Sequence, residues 1–252
     1  KIKPANLAIV GDARQVLETV LERLPKRDDP RPRWRERVRD LKERHPLALE
    51  SRGDGFHPLE FCEMLGQLLP QDAIITTDVG QHQMWMAQGY PFAEPRTWLT
   101  SGGLGTMGFG LPAAIGAALA APGRRVVCVS GDGSILMNIQ ELVTLAELNL
   151  DVTVIILNNA HLGMVRQQQE LFYKGRYSAS RFDSQPNFAA AARAFGIKAF
   201  DFDGGEPCDL FARLSQALAT PGPVLLNLAI HQDENVYPMV PPGAANTQMI
   251  EA

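Results

Sequence analysis

The chain has 252 residues, 45% of them hydrophobic and 21% charged, which is enough for one large α/β domain with a smaller appendage. A formal net charge of −4 argues against a nucleic-acid or anionic-membrane partner, and the apolar stretches are far too short to span a bilayer. Cys62, Cys128 and Cys208 lie far apart without metal-ligand spacing, which fits reduced structural thiols in a cytoplasmic protein, and no secretory signal pattern is visible.

The first residue is Lys1 rather than Met, and a chain that opens this way reads as cut from something longer. Leu7 to Val10 reads as a lone strand feeding a helix that is capped by Asp12 and runs to about Leu24. Between Pro25 and Arg44, nine Lys or Arg stand against five acids. The interspersed acids make this a solvated linker with a short helix near Trp34 rather than a nucleic-acid arm. The boundary falls near residue 50, leaving 1–50 as the remainder of one domain and 51–252 as another.

From Phe56 a helix runs to Pro70, and Ala73 to Thr77 is a strand ending at Asp78-Val79-Gly80-Gln81-His82. Trp98-Leu99-Thr100 is a short strand. Five glycines in the ten residues from Ser101 to Gly110 then mean backbone pressed close to something, or a flexible loop. An Ala-rich helix from about Pro112 to Ala121 packs beneath it. Val126 to Val129 is a buried strand that stops at Gly131-Asp132-Gly133, Ile135 to Leu150 carries helical spacing, and Val152 to Leu157 is a strand ending in Asn158-Asn159. This is a βαβ crossover, which returns a parallel strand to the same sheet and lets Asp132 and Asn159 point into one crevice. After Met164 come a helix to about Tyr173, an irregular stretch to Pro186, a helix (Phe188 to Phe195), a strand (Ile197 to Phe202), a helix (Leu210 to Leu218) and a strand (Val224 to Ile230). The alternation predicts a doubly wound α/β fold, a mostly parallel six-stranded sheet with helices on both faces.

One carboxylate, one amide oxygen and nearby loop carbonyls form a hard oxygen half-shell that suits magnesium with positions left open for phosphate oxygens and water. The glycines let a diphosphate approach the backbone, and the following helix offers its amide N–H groups. Gly-Asp-Gly alone is an ordinary turn, and Asn-Asn alone says less. The twenty-four residues between Gly133 and Asn158, filled by strand, helix and strand, make the combination specific. His82 is a candidate acid or base, His57 and His231 read as structural or surface residues, and His161 offers its carbonyl. No Ser/His/Asp order, zinc spacing or Walker motif supports a hydrolase or kinase.

Gly131-Asp132-Gly133 with Asn158-Asn159 after that interval resembles the diphosphate anchor of thiamine-diphosphate (ThDP) enzymes, in which the Asp and the second Asn hold magnesium. Val79-Gly80-Gln81-His82-Gln83-Met84-Trp85, the segment from Ser101 to Ala117, Leu171-Phe172-Tyr173 and Pro238-Met239-Val240-Pro241-Pro242-Gly243 narrow the resemblance to the catalytic subunit of acetohydroxyacid synthase (acetolactate synthase). It covers essentially the whole chain. Residues 51–252 are similar to that family's C-terminal ThDP-binding domain and tail, and 1–50 to the end of its middle, FAD-carrying domain.

The resemblance implies a transferase that condenses pyruvate with pyruvate or 2-ketobutyrate, losing CO2 and giving acetolactate or acetohydroxybutyrate for isoleucine and valine biosynthesis. It implies that Asp132, Asn159 and the His161 carbonyl hold Mg2+, while Val79, Gly80, Gln81, His82, Gly131, Gly133 and Ser134 surround the diphosphate. Met107 would bend the cofactor, the backbone at Gly105 and Met107 would meet its pyrimidine, and Met137, Gly163 and Met164 would line it. The implied partners are 2-keto acids, a second copy of the protein through the ThDP domains, and a small regulatory subunit. The family's essential glutamate belongs to an N-terminal domain outside these residues, so the chain alone is expected to make no acetolactate. Many members carry a tryptophan where this chain has Gln168, which predicts a roomier acceptor pocket that discriminates weakly between the two keto acids. Two alternatives share the anchor: another ThDP-dependent carboligase or 2-keto-acid decarboxylase, and a non-catalytic ThDP-binding module.

Overall fold

The computed structural model describes residues 4–25, 31–47, 55–205 and 207–251, and the chain divides into two units, Lys1–Leu47 and Ala48–Ala252. The first unit holds α1 (Ala13–Arg23) and α2 (Pro32–Arg44), neither of which buries a residue. The Asp12 carboxylate caps α1 by accepting from the Gln15 N–H at 3.1 Å. Leu7 to Val10 forms no strand. The described residues hold one six-stranded sheet and two isolated bridges, and this segment belongs to neither; a strand needs a neighbour to take up its backbone N–H and C=O groups, and apolar composition alone does not supply one.

In the second unit the strands are β1 (Ile74–Thr77), β2 (Trp98–Thr100), β3 (Val126–Gly131), β4 (Val152–Asn158), β5 (Lys198–Phe202) and β6 (Val224–Ala229). They lie in the order β2-β1-β3-β4-β6-β5, every pair parallel. Strand alternation sorts their side chains between two cores. Val127, Val129, Ile155, Leu157 and Leu226 face a cluster containing Phe61, Leu65, Trp85 and Leu214. Val126, Cys128, Val152, Val154 and Ile156 face another containing Leu111, Ala114, Leu142 and Phe188. The first face is covered by α3 (Pro58–Leu68), α4 (Gln81–Gly89) and α10 (Pro207–Ala219), the second by α5 (Gly110–Ala120), α7 (Glu141–Glu147) and α9 (Phe188–Ala194). This is the doubly wound sheet that the alternation of elements predicts.

Three local details differ from the sequence reading or extend it. The Ile135 to Leu150 segment is not one helix: it splits into α6 (Asp132–Ile135) and α7, joined by turns. In the gap the Asn138 side chain donates to the Gly108 carbonyl at 2.7 Å, a bond that competes with helical geometry and ties the gap to the glycine-rich loop. A helix begins directly at Gln81, where the sequence suggested only a polar strand end. His57 caps α3, its Nδ1 accepting from the Leu59 N–H at 3.1 Å while Glu60 accepts from the His57 N–H at 2.9 Å.

Candidate active site at the strand switch point

After β1 the chain leaves through α4 on one face of the sheet, and after β3 it leaves through α6 and α7 toward the other. Neighbouring strands whose connections part in this way leave a crevice beyond their C-terminal ends. A cavity of about 320 Å³ occupies it. Val79, Gly80, Gln81 and His82 line it from the end of β1, Gly131, Asp132, Gly133 and Ser134 from the end of β3, and Asn159, His161, Gly163 and Met164 from the end of β4 and the start of α8 (Gly163–Phe172). Gly105 and Met107 reach it from the glycine-rich loop. Met137 does not join them: it is 55% exposed in the gap after α6 and packs beside Gly108, where an added Cβ would approach it to 2.8 Å.

Asp132 is the chemical centre of this group. It is 2% exposed, and its oxygens accept from neutral donors, the Gly133 N–H at 2.9 Å and the Gln185 side-chain amide at 2.6 Å. Burial pushes the Asp132 carboxyl up to about 6, against the opposing pull of Gln185 and of the backbone amides of Gly133, Ala160 and His161. Asn159 stands beside it, its Oδ1 accepting from the His161 N–H at 3.2 Å and its Nδ2 donating to Gln81 Oε1 at 3.2 Å. Between Asn159 and His161, Ala160 takes a left-handed φ of 56°, which costs a non-glycine residue about 1–2 kcal/mol. The His161 ring is turned to the backbone, with Nδ1 2.8 Å from the Asn159 carbonyl.

Across the cavity, His82 is buried and its Nε2 has no hydrogen-bond partner. Burial holds its imidazole down to about 4, although the Asp78 charge and the Asp78 backbone pull the other way. The Ser134 hydroxyl donates to the Val79 carbonyl at 3.0 Å and locks the two strand ends together. Walls are close by design of the sequence: a Cβ on Gly163 would lie 2.0 Å from Gln81 Oε1. Among the described residues no group of three or more His, Cys, Asp or Glu could hold a metal ion, so any cation here must use the mixed set of carboxylate, amide and carbonyl oxygens.

Gln168 lies elsewhere. It is exposed on α8 and lines an open groove of about 680 Å³ with Met164, Val165, Tyr173 and Arg176, so Met164 and Val165 form the wall between groove and cavity. The sequence reading gave no role to three polar residues around the site: Asp78, Gln167 and Gln185. Asp78 ends an apolar strand, which is a usable sign; Gln185 comes from the irregular stretch before α9, where nothing local marks it.

No described helix is long and apolar enough to cross a membrane. Residues 78–228 match the family described as thiamine pyrophosphate enzyme, C-terminal TPP binding domain. The chain is 47% identical over 250 residues to the acetolactate synthase isozyme 1 large subunit of Escherichia coli (strain K12), covering 99% of this chain and 44% of that protein. It is 46% identical to the acetolactate synthase large subunit of Porphyra purpurea, with 97% and 42% covered. Against the isozyme 2 large subunit of Escherichia coli (strain K12) it is 41% identical, with 100% and 44% covered. The chain therefore spans less than half the length of these relatives. With the matched segment running from the end of β1 through β6, and the cavity opening where that segment begins, the chain belongs to the thiamine pyrophosphate enzymes and carries their C-terminal TPP binding domain.

Proposed function

We propose that the protein is part of an acetolactate synthase, condensing pyruvate with a second 2-keto acid, pyruvate or 2-ketobutyrate, with loss of CO2. The observation that carries this reading is convergence: Asp132, Asn159, His82 and Met107, from four separate segments, line one cavity in a chain similar over its whole length to acetolactate synthase large subunits. When bound, ThDP supplies the electron sink for decarboxylating one keto acid and joining it to the next.

The residues present fit a magnesium diphosphate. A buried carboxylate whose pKa is raised and whose partners are neutral gains from a cation, and a buried, unpartnered imidazole nitrogen gains from a phosphate oxygen. Asp132, Asn159 and the His161 carbonyl would hold Mg2+, and Val79 to His82 with Gly131, Gly133 and Ser134 would surround the diphosphate. Met107 and Gly105 would position the organic rings. Leu157, Leu162 and Ile230 in the lining would keep water from the reacting atoms. FAD, a second copy of the subunit and a regulatory subunit belong to the same reading of the longer protein, as does a role for residues 1–50 as the end of an FAD-carrying domain.

Calorimetric titration of ThDP into the chain, with and without Mg2+, tests the anchor. Magnesium-dependent binding is expected, and binding indifferent to magnesium would refute it. Gln168 bears on the choice of acceptor. In the longer enzyme Gln168→Trp should raise the preference for 2-ketobutyrate, at most by the worth of one methylene, about 1–3 kcal/mol. Partitioning between acetohydroxybutyrate and acetolactate with both keto acids present measures it; an unchanged ratio would place selection elsewhere.

A further inference from the structure

A chain of three side-chain amides runs from the backbone of Val236 to the candidate metal site, and each is held in one orientation. Gln167 lies on α8, is fully buried and does not line the cavity. Its Oε1 accepts from the Val236 N–H at 2.9 Å and its Nε2 donates to the Val236 carbonyl at 2.9 Å. Reversing the amide would set donor against donor and acceptor against acceptor, so the backbone fixes which end is oxygen. That oxygen accepts from Gln81 Nε2 at 2.9 Å, and the same Nε2 donates to the Glu234 carbonyl at 2.9 Å. With both of its hydrogens engaged, Gln81 must present Oε1 to Asn159, whose Nδ2 donates to it at 3.2 Å. Asn159 is thereby left with its oxygen turned away from Gln81. That oxygen accepts one bond, from His161 N–H, and has capacity for another.

We propose that Gln167 is a positioning residue: acting through Gln81, it sets the side-chain orientation of Asn159 so that an oxygen rather than an NH2 group is offered to the cation beside Asp132. The inference rests on the reading of Asp132 and Asn159 as metal ligands. All three amides are at least nine-tenths buried, at 0%, 4% and 8% exposure, and Gln167, which does not line the cavity, cannot exchange its partners for water. Gly163 has a part in the same device. A Cβ there would meet Gln81 Oε1 at 2.0 Å and Asn159 Nδ2 at 2.8 Å, so the bare backbone of Gly163 makes room for the joint between those two amides.

The experiment measures Mn2+ binding to the chain in the presence of ThDP, by the loss of the free-ion paramagnetic resonance signal. Gln167→Leu removes the acceptor for Gln81. Gln167→Glu keeps it, because a buried glutamate takes a proton and then matches the donor and acceptor pattern of glutamine. Loss of such an outer partner should weaken Mn2+ binding roughly 10- to 100-fold in Gln167→Leu, with Gln167→Glu within about threefold of the parent. Val154→Ala, a cavity in the opposite core, should destabilise the fold without moving the affinity. If Gln167→Leu does not fold, Gly163→Ala tests the joint directly and should show the same weakening. Gln167→Leu binding as tightly as the parent, or both Gln167 variants weakening equally, would overturn the orientation relay while Asp132→Ala still loses binding. Should Asp132→Ala bind Mn2+ like the parent, the metal site is wrong and the relay toward it falls as well.

Discussion

Two buried carboxylates stand at the ends of adjacent strands, and they are put to opposite uses. Asp78, after β1, is fully buried; its oxygens accept from the Gly110 N–H at 2.9 Å and the Ser130 hydroxyl at 2.6 Å. Those bonds join β1, the N-terminus of α5 and β3, and the packing is tight enough that a Cβ on Gly110 would come within 2.9 Å of the Asp78 nitrogen. Asp132, after β3, is also buried, but it lines the cavity and its donors are its own neighbour Gly133 and the side chain of Gln185. Burial of a charge does not by itself mark a site. What separates the pair is the open side: Asp78 faces scaffold, whereas Asp132 faces space that a cation can fill.

The sharpest way to break this comparison is to truncate each carboxylate. Asp132→Ala should abolish magnesium-dependent ThDP binding while shifting the stability of the metal-free protein by no more than about 1 kcal/mol, since a strained, desolvated charge is removed along with its hydrogen bonds. Asp78→Ala should do the reverse in kind, destabilising by about 2–3 kcal/mol because it strands the buried Gly110 N–H and leaves the Ser130 hydroxyl only its 3.2 Å bond to the Gly131 carbonyl. Denaturant unfolding read beside calorimetric titration separates the two; a binding loss without a stability loss in Asp78→Ala would mean that the roles are not divided.

His82 lies between them, feeling the Asp78 charge and lying against Gly131, where an added Cβ would approach Nδ1 to 2.9 Å. Its folded pKa of about 4 lies below the ordinary 6.5, so the unfolded chain takes up the proton first. Its contribution to stability is therefore complete above pH 6.5 and is lost as pH falls toward 4, by on the order of 3 kcal/mol. The difference in unfolding free energy between the parent and His82→Gln should change over that window; a constant difference would show that His82 is not held neutral. The smallest effect is expected from Ser130→Ala, about 1–2 kcal/mol, because Asp78 keeps the Gly110 bond. Denaturant midpoints measure it, and a cost equal to that of Asp78→Ala would place the whole burden on the hydroxyl.

Much of the fold is legible because it rests on local pattern. The β-branched runs Val126 to Val129 and Val152 to Leu157 announce strands buried on both faces, and the glycines and asparagines that end them place Asp132 and Asn159 at the same rim. The parts that escape are those decided by contacts distant in sequence. Nothing near Asn138 says that its side chain will reach the Gly108 carbonyl and split a helix. Gln81, His82 and Gln83 open a helix whose early polar side chains are engaged by other segments, so the apolar periodicity that would reveal it is missing. Gln167 and Gln185 read as ordinary polar residues, and their importance depends on partners 69 and 53 positions away. Leu7 to Val10 shows the opposite failure, a strand-like composition with no described partner to pair with.

The amide chain also has a consequence for time. Its links close over 78 residues from Gln81 to Asn159, 86 from Gln81 to Gln167 and 69 from Gln167 to Val236, and a further bond spans 153 from Gln81 to Glu234. Contacts of such separation are slow to form, because the loops they close must be ordered before the bonds can compensate for it. The sheet closes loops of similar length, 71 residues between Thr153 of β4 and Val224 of β6, but residues 234–236 follow β6 in the chain, so the rim of the cavity is complete only when they too have docked. In a refolding experiment the far-ultraviolet signal of the sheet should recover ahead of the capacity to bind cofactor, the interval between them being the time the C-terminal segment takes to find Gln81 and Gln167.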